Sequence, residues 1–86
     1  MYQLITPKLV QKQINALPNL VRDRIDTVIR LLVDDARPDG VVKLKGSDSA
    51  YRIRVGDYRI VYEVNDEQLV ILLVQFKHRR EVYRNR

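Results

Sequence analysis

The chain has 86 residues, of which 45% are hydrophobic and 31% charged, and its formal net charge at pH 7 is +5. This composition predicts a single small globular domain over residues 1–86 and excludes an intrinsically disordered chain. The absence of cysteine excludes disulfide bonds and thiolate metal sites. Because no apolar run is long enough to span a membrane and the start does not resemble a signal peptide, we expect a cytoplasmic protein with no membrane partner.

The first half of the sequence has the pattern of a short strand followed by two helices. Tyr2–Ile5 is a candidate strand, and Thr6 is expected to cap a helix that begins at Pro7. Pro18-Asn19 separates this helix from the second, which ends by Asp39-Gly40. The helical spacing is carried by Val10, Ile14 and Leu17, and then by Val21, Ile25, Val28, Ile29 and Leu32. So short a connection predicts an antiparallel helical hairpin.

The second half of the sequence changes to the two-residue period of strands. We predict strands at Val41–Leu44, Ala50–Val55, Tyr58–Val64 and Leu69–Phe76. The last of these is apolar on both faces, which predicts an internal strand that is covered on both sides. The order β-α-α-β-β-β-β predicts an α+β fold, with the N-terminal strand and the helical hairpin packed on a twisted antiparallel sheet.

Positive charge is concentrated in this second half. Residues 1–42 carry six Lys or Arg against five acids, whereas residues 43–86 carry ten against six. Such asymmetry indicates a polyanionic partner for the C-terminal half. A solvated basic tail that only keeps the protein soluble explains the same charge, so composition leaves both interpretations open.

The segment YRIRVGDYRIVY, residues 51–62, is the most informative part of the sequence. Gly56-Asp57 between two alternating runs predicts a two-residue hairpin turn, which sets Arg54 opposite Arg59. Arg52 then points to the same side, because alternate residues of a strand share a face. Like charges directly opposite each other destabilise a sheet, so we infer that these arginines hold an anion such as a phosphate.

The basic segment after the last strand extends this hypothesis. If the helices cover the opposite face, the C-terminal residues can fold over the arginines to form one groove. That groove would contain Arg52, Arg54, Arg59, His78, Arg79 and Tyr83. The alternative is that the arginines are ordinary exposed residues that pair with Asp48, Glu63 or Asp66.

Several segments together resemble the RelE/ParE toxin superfamily, in particular its RelE branch. They are LKG (44–46), YRIRVGDYRIVYEV (51–64), the apolar strand at 69–74 and HRREVYR (78–84), with a weaker match in TPKLVQKQINALP (6–18). The resemblance implies a RelE-like fold and the toxin of a type II toxin–antitoxin pair. Such toxins are ribosome-dependent endoribonucleases that cleave mRNA in the A site and inhibit translation. The implied partners are a cognate antitoxin protein, the ribosome and mRNA, with operator DNA reached only through the antitoxin.

The chemistry of such a reaction suits the residues present. RNA cleavage without a metal or another cofactor needs in-line attack of the 2′-OH on phosphorus, charge stabilisation and proton transfer. Arginine forks match phosphate oxygens, so we expect Arg54 and Arg59 to hold the scissile phosphate and Arg52 to help hold the backbone. The resemblance assigns base stacking or proton transfer to Tyr83, and His78 is a second candidate for proton transfer beside Arg79. The expected RNA-binding residues are Lys43, Lys45, Lys77, Arg80 and Arg84.

Two alternatives to the nuclease stay open on the same fold. One is a binding module like the ParE branch, which inhibits DNA gyrase through protein contacts. The other is an inactive homologue that only binds its antitoxin. Hydrolases that depend on a carboxylate pair, a metal-ligand cluster or a Gly-rich phosphate loop are disfavoured, because the sequence has none of these patterns.

Overall fold

A computed structural model describes residues 1–78, which form two helices on one face of a five-stranded sheet. The elements in chain order are β1 (Gln3–Ile5), α1 (Lys8–Asn15), α2 (Asn19–Asp34), β2 (Val42–Lys43), β3 (Ala50–Val55), β4 (Tyr58–Asn65) and β5 (Val70–His78). The strand order across the sheet is β1-β5-β4-β3-β2. The predicted α+β class and the internal position of the apolar strand β5 are therefore confirmed.

The sequence predicted a wholly antiparallel sheet, and this prediction is wrong because the sheet is mixed. β1 pairs parallel with β5, with Leu4 opposite Ile71, whereas the other neighbouring pairs are antiparallel. Parallel neighbours need a long connection between them, and here both helices and three strands separate β1 from β5. The sequence pattern predicts each strand but carries no signal for the direction of a pair so distant along the chain.

Both helices begin one residue after a proline. Pro7 and Pro18 occupy the N-cap positions with extended backbone, and neither helix has a side-chain cap. The predicted capping role of Thr6 is therefore wrong, and Pro7 lies just outside the helix. α2 also ends earlier than expected, because Asp35 is already extended with φ −139° and ψ 100°.

The hydrophobic core lies between the helices and one face of the sheet. Ile25 and Leu32 of α2 are fully buried, as are Ile60 and Tyr62 of β4. α1 packs over β5 and α2 over β3. The other face of the sheet, here called the open face, is not covered by any helix within residues 1–78, and it carries the alternate residues of each strand.

A β-bulge in β5 decides which of its residues reach the open face. Val61 lies opposite Gln75 and Tyr62 lies opposite Leu73, so Val74 is an extra residue in the ladder. Side chains along a strand alternate between the two faces of the sheet, so one extra residue moves each later side chain of the strand to the opposite face. The chain end of β5 therefore directs Lys77 to the open face instead of burying it under the helices.

Candidate functional site

A row of three cations crosses the open face near the β3–β4 turn. Arg54 lies opposite Arg59, and Arg59 lies opposite Lys77 on the next strand. The predicted register of the hairpin is confirmed, with Val55 opposite Tyr58 and Gly56 in the left-handed region at φ 59°. Arg52 is two residues along β3 from Arg54, on the same face. We call Arg52, Arg54, Arg59 and Lys77 the basic face.

The spacing of this row suits contact with an anionic backbone. Neighbouring strands are about 4.8 Å apart, so each cation in the row repels the next at short range. Arg54 is exposed, whereas Arg59 and Lys77 are partly buried, which limits their freedom to move apart. The Nε of Arg54 donates a hydrogen bond to the carbonyl oxygen of Gly56 at 3.0 Å, which holds this side chain against the turn. Such an arrangement can bind phosphate oxygens through several donors at once.

His78 does not lie with the arginines, contrary to the groove predicted from the sequence. Its ring meets the ring of Tyr58 edge-on, with centroids 4.8 Å apart. Tyr58 in turn stacks on the buried ring of Phe76, with centroids 5.3 Å apart. These three rings occupy the helix side of the sheet, because the bulge places Phe76 and His78 there and Lys77 on the open face.

The other predicted RNA-binding residues are dispersed or lie outside the described residues. Lys43 lies opposite Tyr51, so it shares the helix side of the sheet and not the basic face. Lys45 is exposed in the turn after β2, at the end of β3 that is remote from Arg54. The predicted functional residues Arg79, Arg80, Tyr83 and Arg84 fall outside residues 1–78.

The opposite end of the open face is acidic, a feature that the sequence reasoning missed. A pocket of about 600 Å³ lies there, and its lining includes Asp48, Glu63, Asp66 and Glu67. Glu63 is four residues along β4 from Arg59, which corresponds to about 13 Å of strand. The open face is therefore positive near the β3–β4 turn and negative near the β4–β5 turn.

Arg37 organises a polar network at this acidic end. Its Nη2 donates to Asp66 Oδ2 at 2.8 Å and its Nε donates to the hydroxyl of Tyr51 at 2.9 Å. The hydroxyl of Tyr2 donates to Asp66 Oδ1 at 2.6 Å. Asp66 therefore pairs with Arg37 rather than with Arg54 or Arg59. No local sequence signal indicates this network, because its members come from four separate parts of the chain.

The network and the core perturb the ionisation of their members. The hydrogen bond from Arg37, with a smaller contribution from Tyr2, lowers the pKa of Asp66. The same carboxylate raises the pKa of Tyr2, since deprotonation would lose that hydrogen bond. Burial raises the pKa of Tyr62 to about 12, and its hydroxyl donates to the carbonyl oxygen of Ala36 at 2.7 Å. Tyr51 and Tyr62 are both buried in the hydrophobic core.

Two further observations concern metal sites and membrane-spanning helices. Within residues 1–78, no group of three or more His, Asp or Glu side chains is placed to hold a metal ion. The same part of the chain contains no helix of sufficient length and hydropathy to cross a bilayer.

Comparison with known proteins connects this geometry to a family. A family model described as the ParE toxin of the type II toxin–antitoxin system parDE matches residues 5–83. The chain belongs to the RelE/ParE family of toxins. It is a RelE-like toxin of a type II toxin–antitoxin system, and the resemblance noted in the sequence is confirmed.

Curated relatives and solved structures agree on the RelE side of this family. The toxin RelE3 of Methanocaldococcus jannaschii is 33% identical over 86 residues, covering 94% of each chain. An archaeal RelE from Pyrococcus horikoshii, solved as a RelE–RelB complex, superposes with a TM-score of 0.83 at 32% identity, covering 91% of this chain and 94% of that one. Isolated RelE of E. coli superposes with a TM-score of 0.80 at 27% identity, covering 98% and 93% respectively.

Proposed function

We propose that this toxin is a ribosome-dependent endoribonuclease that cleaves mRNA in the A site and so inhibits translation. The observation that carries the proposal is the row of Arg54, Arg59 and Lys77 on the open face. A sheet has no structural reason to align three cations across neighbouring strands, because their mutual repulsion destabilises it. A bound phosphate backbone removes that repulsion, and mRNA supplies one.

In this mechanism the arginines bind the scissile phosphate and stabilise its developing charge. Arg54 and Arg59 donate to the non-bridging oxygens while the adjacent 2′-OH attacks phosphorus. The 2′-OH gives up its proton as the O2′–P bond forms. The P–O5′ bond breaks and the departing 5′ oxygen takes up a proton, so the products are a 2′,3′-cyclic phosphate and a 5′-hydroxyl. Lys77 and Arg52 hold neighbouring backbone and fix the in-line geometry. The proposal is metal-independent and uses no cofactor.

Proton transfer is assigned to the C-terminal segment. Arginine stays protonated, so the basic face supplies charge but no general base. Tyr83 is the candidate for this role, or for stacking on a base. The ring of His78 contacts Tyr58 on the helix side, which argues against a direct role for it at the phosphate.

The proposed partners follow from the same hypothesis. Complexes of RelE with RelB among the structural relatives support a cognate antitoxin partner. The ribosome and mRNA are the proposed targets, and operator DNA is reached only through the antitoxin. A cytoplasmic location follows from a target on the ribosome.

The test is primer extension on a reporter mRNA in a purified translation system. We expect cuts at A-site codons with the wild type, loss of cutting with Arg54→Ala or Arg59→Ala, and no cutting when ribosomes are omitted. Arg30→Ala is the matched control, because it removes an exposed arginine from α2, away from the basic face. Intact message with folded wild type at saturating concentration would reject the nuclease.

A second function, inhibition of DNA gyrase, is favoured by the match to a family model that is described as a ParE toxin. A supercoiling assay with purified gyrase separates the two functions. Gyrase inhibition together with intact message would establish the ParE-like function. Normal growth during strong expression of soluble, folded protein would instead indicate an inactive homologue that binds its antitoxin.

A further inference from the structure

The charges of the open face are divided between its two ends. The basic face occupies one end and carries four cations. The pocket at the other end includes Asp48, Glu63 and Glu67, which are all exposed. Its fourth acid, Asp66, is bound by Arg37, so three acids remain without an ion pair among residues 1–78. The open face is therefore close to neutral, although the whole chain carries +5.

Apolar side chains lie between these two charged ends. Val61 occupies the middle of β4 on the open face. Cross-strand partners share a face, so Val42, opposite Arg52, and Ile5, opposite Leu72, point to the same side. Val42 is 46% exposed and Ile5 is 44% exposed, whereas Val61 and Leu72 are half-buried. Exposed aliphatic side chains flanked by charged groups are typical of a surface that is covered in a complex.

This arrangement of charge is complementary to itself. Consider a two-fold axis that lies between two stacked sheets and runs perpendicular to their strands. The strands of the second copy then run in the reverse direction, so the basic face of each copy lies over the acidic end of the other. RNA matches only the basic end, because the acids at the other end repel its phosphates. A second copy of the chain is therefore the occupant that fits the whole face.

We propose that two copies of this chain associate through their open faces with two-fold symmetry, and that each copy covers the basic face of the other. Five strands and the eight residues of β4 give a face of about 24 Å by 26 Å, or about 600 Å² per copy. Stable complexes bury about 800 Å² per partner. The association is therefore weak and reversible, with a Kd on the order of 0.1 mM.

The charges that meet in this interface act at shorter range than the net charge of the two copies. Stacked sheets lie about 10 Å apart, which is close to the Debye length at 0.1 M salt, and long side chains from both faces interdigitate within that distance. The charges on the helix side of each copy are further apart by the thickness of both helix layers, so salt screens them. Attraction between the opposite ends thus exceeds the repulsion between two chains of like net charge.

Association has a consequence for RNA cleavage. Arg54 and Arg59 face the carboxylates of the second copy in the dimer, so they are not accessible to a phosphate. The monomer is therefore the form that binds RNA, and RNA shifts the equilibrium towards it. This exclusion of RNA rests on the proposed function, whereas the association itself does not.

Sedimentation velocity of the full chain at 0.1 M salt measures the association. Concentrations from about 5 µM to about 1 mM bracket the expected Kd, so we expect monomer at the low end and dimer at the high end. Glu63→Lys should weaken association about tenfold, because it places a cation over the basic face of the second copy. Asp34→Lys is the matched control, since it makes the same change in net charge at an exposed residue of α2. Equal weakening by both variants would assign the effect to net charge and overturn the proposal.

A mixture of two variants tests the orientation of the copies. Glu63→Lys combined with Glu67→Lys makes both ends of the open face positive, whereas Arg59→Glu combined with Lys77→Glu removes the excess charge of the basic face. Each variant alone should associate at least about tenfold more weakly than the wild type. The equimolar mixture should associate more tightly than either, because one of the two end-to-end contacts is restored. Circular dichroism establishes that each variant is folded, and folded variants that form no heterodimer would reject the antiparallel arrangement.

The remaining outcomes also decide the question. A wild type that stays monomeric at about 1 mM would reject the interface. Growth beyond a dimer, or amide shifts on dilution that are confined to α1 and α2, would reject it as well. Dissociation of the dimer by a single-stranded RNA would support the exclusion of RNA, whereas RNA bound by an intact dimer would reject it. If the chain dimerises through the open face but binds no RNA, the interface stands and the proposed nuclease fails.

Discussion

Replacement of the neighbouring residues Lys77 and His78 by alanine tests the assignment of the basic face. Lys77 lies beside Arg59 on the open face, whereas the His78 ring contacts Tyr58 on the helix side, with centroids 4.8 Å apart. We therefore expect Lys77→Ala to weaken RNA binding and His78→Ala to leave it unchanged. We expect the opposite for stability: His78→Ala should lower the free energy of unfolding, and Lys77→Ala should not.

The size of the effect on binding follows from counterion release. Each phosphate contact to a single strand adds about 0.7 to the slope of log affinity against log salt concentration. Removal of Lys77 should lower the magnitude of that slope by about 0.7. If the variant and the wild type bind equally at 1 M salt, the variant should then bind about fivefold more weakly than the wild type at 0.1 M salt. Loss of the aromatic contact in His78→Ala should lower the free energy of unfolding by about 1 kcal/mol. Lys77→Ala should not lower it, because it relieves repulsion with Arg59.

The assay is fluorescence anisotropy of a labelled RNA at four salt concentrations. The RNA has about twelve nucleotides, so that its extended length exceeds the width of the sheet. Urea unfolding of each variant supplies the stability measurement. Equal reductions of the salt slope by the two variants would refute the assignment of Lys77 and His78 to opposite faces. An unchanged slope in Lys77→Ala would remove Lys77 from the RNA contacts.

Three further predictions concern stability, each measured by urea or thermal unfolding. Tyr62→Phe leaves the Ala36 carbonyl without its donor and should lower the free energy of unfolding by about 1–2 kcal/mol, whereas Tyr58→Phe, whose hydroxyl has no partner within residues 1–78, should change it by less than about 0.5 kcal/mol. Because the pKa of Tyr62 is raised from 10.0 to about 12, its contribution is complete below pH 10 and is lost between pH 10 and pH 12, a loss that Tyr62→Phe should lack. Asp66→Asn should lower Tm at neutral pH, and the difference should disappear as the pH falls below 3.8, since the pKa of Asp66 is lowered by Arg37; a constant difference would contradict the ion pair. Leu69→Gly should raise the free energy of unfolding by about 1 kcal/mol, because Leu69 has φ 56° and is 47% exposed, whereas Glu67→Gly in the same turn should lower it.

Local patterns were sufficient to predict the elements and the hairpin. Gly56-Asp57 selects a two-residue turn, and that turn sets the register by which Arg54 lies opposite Arg59. Helical and strand periods in the sequence locate both helices and each strand, with errors at their ends such as the cap assigned to Thr6. The reason is that these features depend on interactions between residues close in the chain.

The composition of the functional site depended on contacts that are distant along the chain. Strict alternation along β5 would put Phe76 and His78 on the open face and bury Lys77 under the helices. The bulge at Val74 reverses this, because an apolar ring is more stable in the core and a charged amine is more stable in water. The parallel pairing of β1 and the binding of Asp66 by Arg37 are likewise tertiary. The sequence by itself thus determined the paired arginines of the hairpin, and only the tertiary structure decided that Lys77, rather than His78, completes their row.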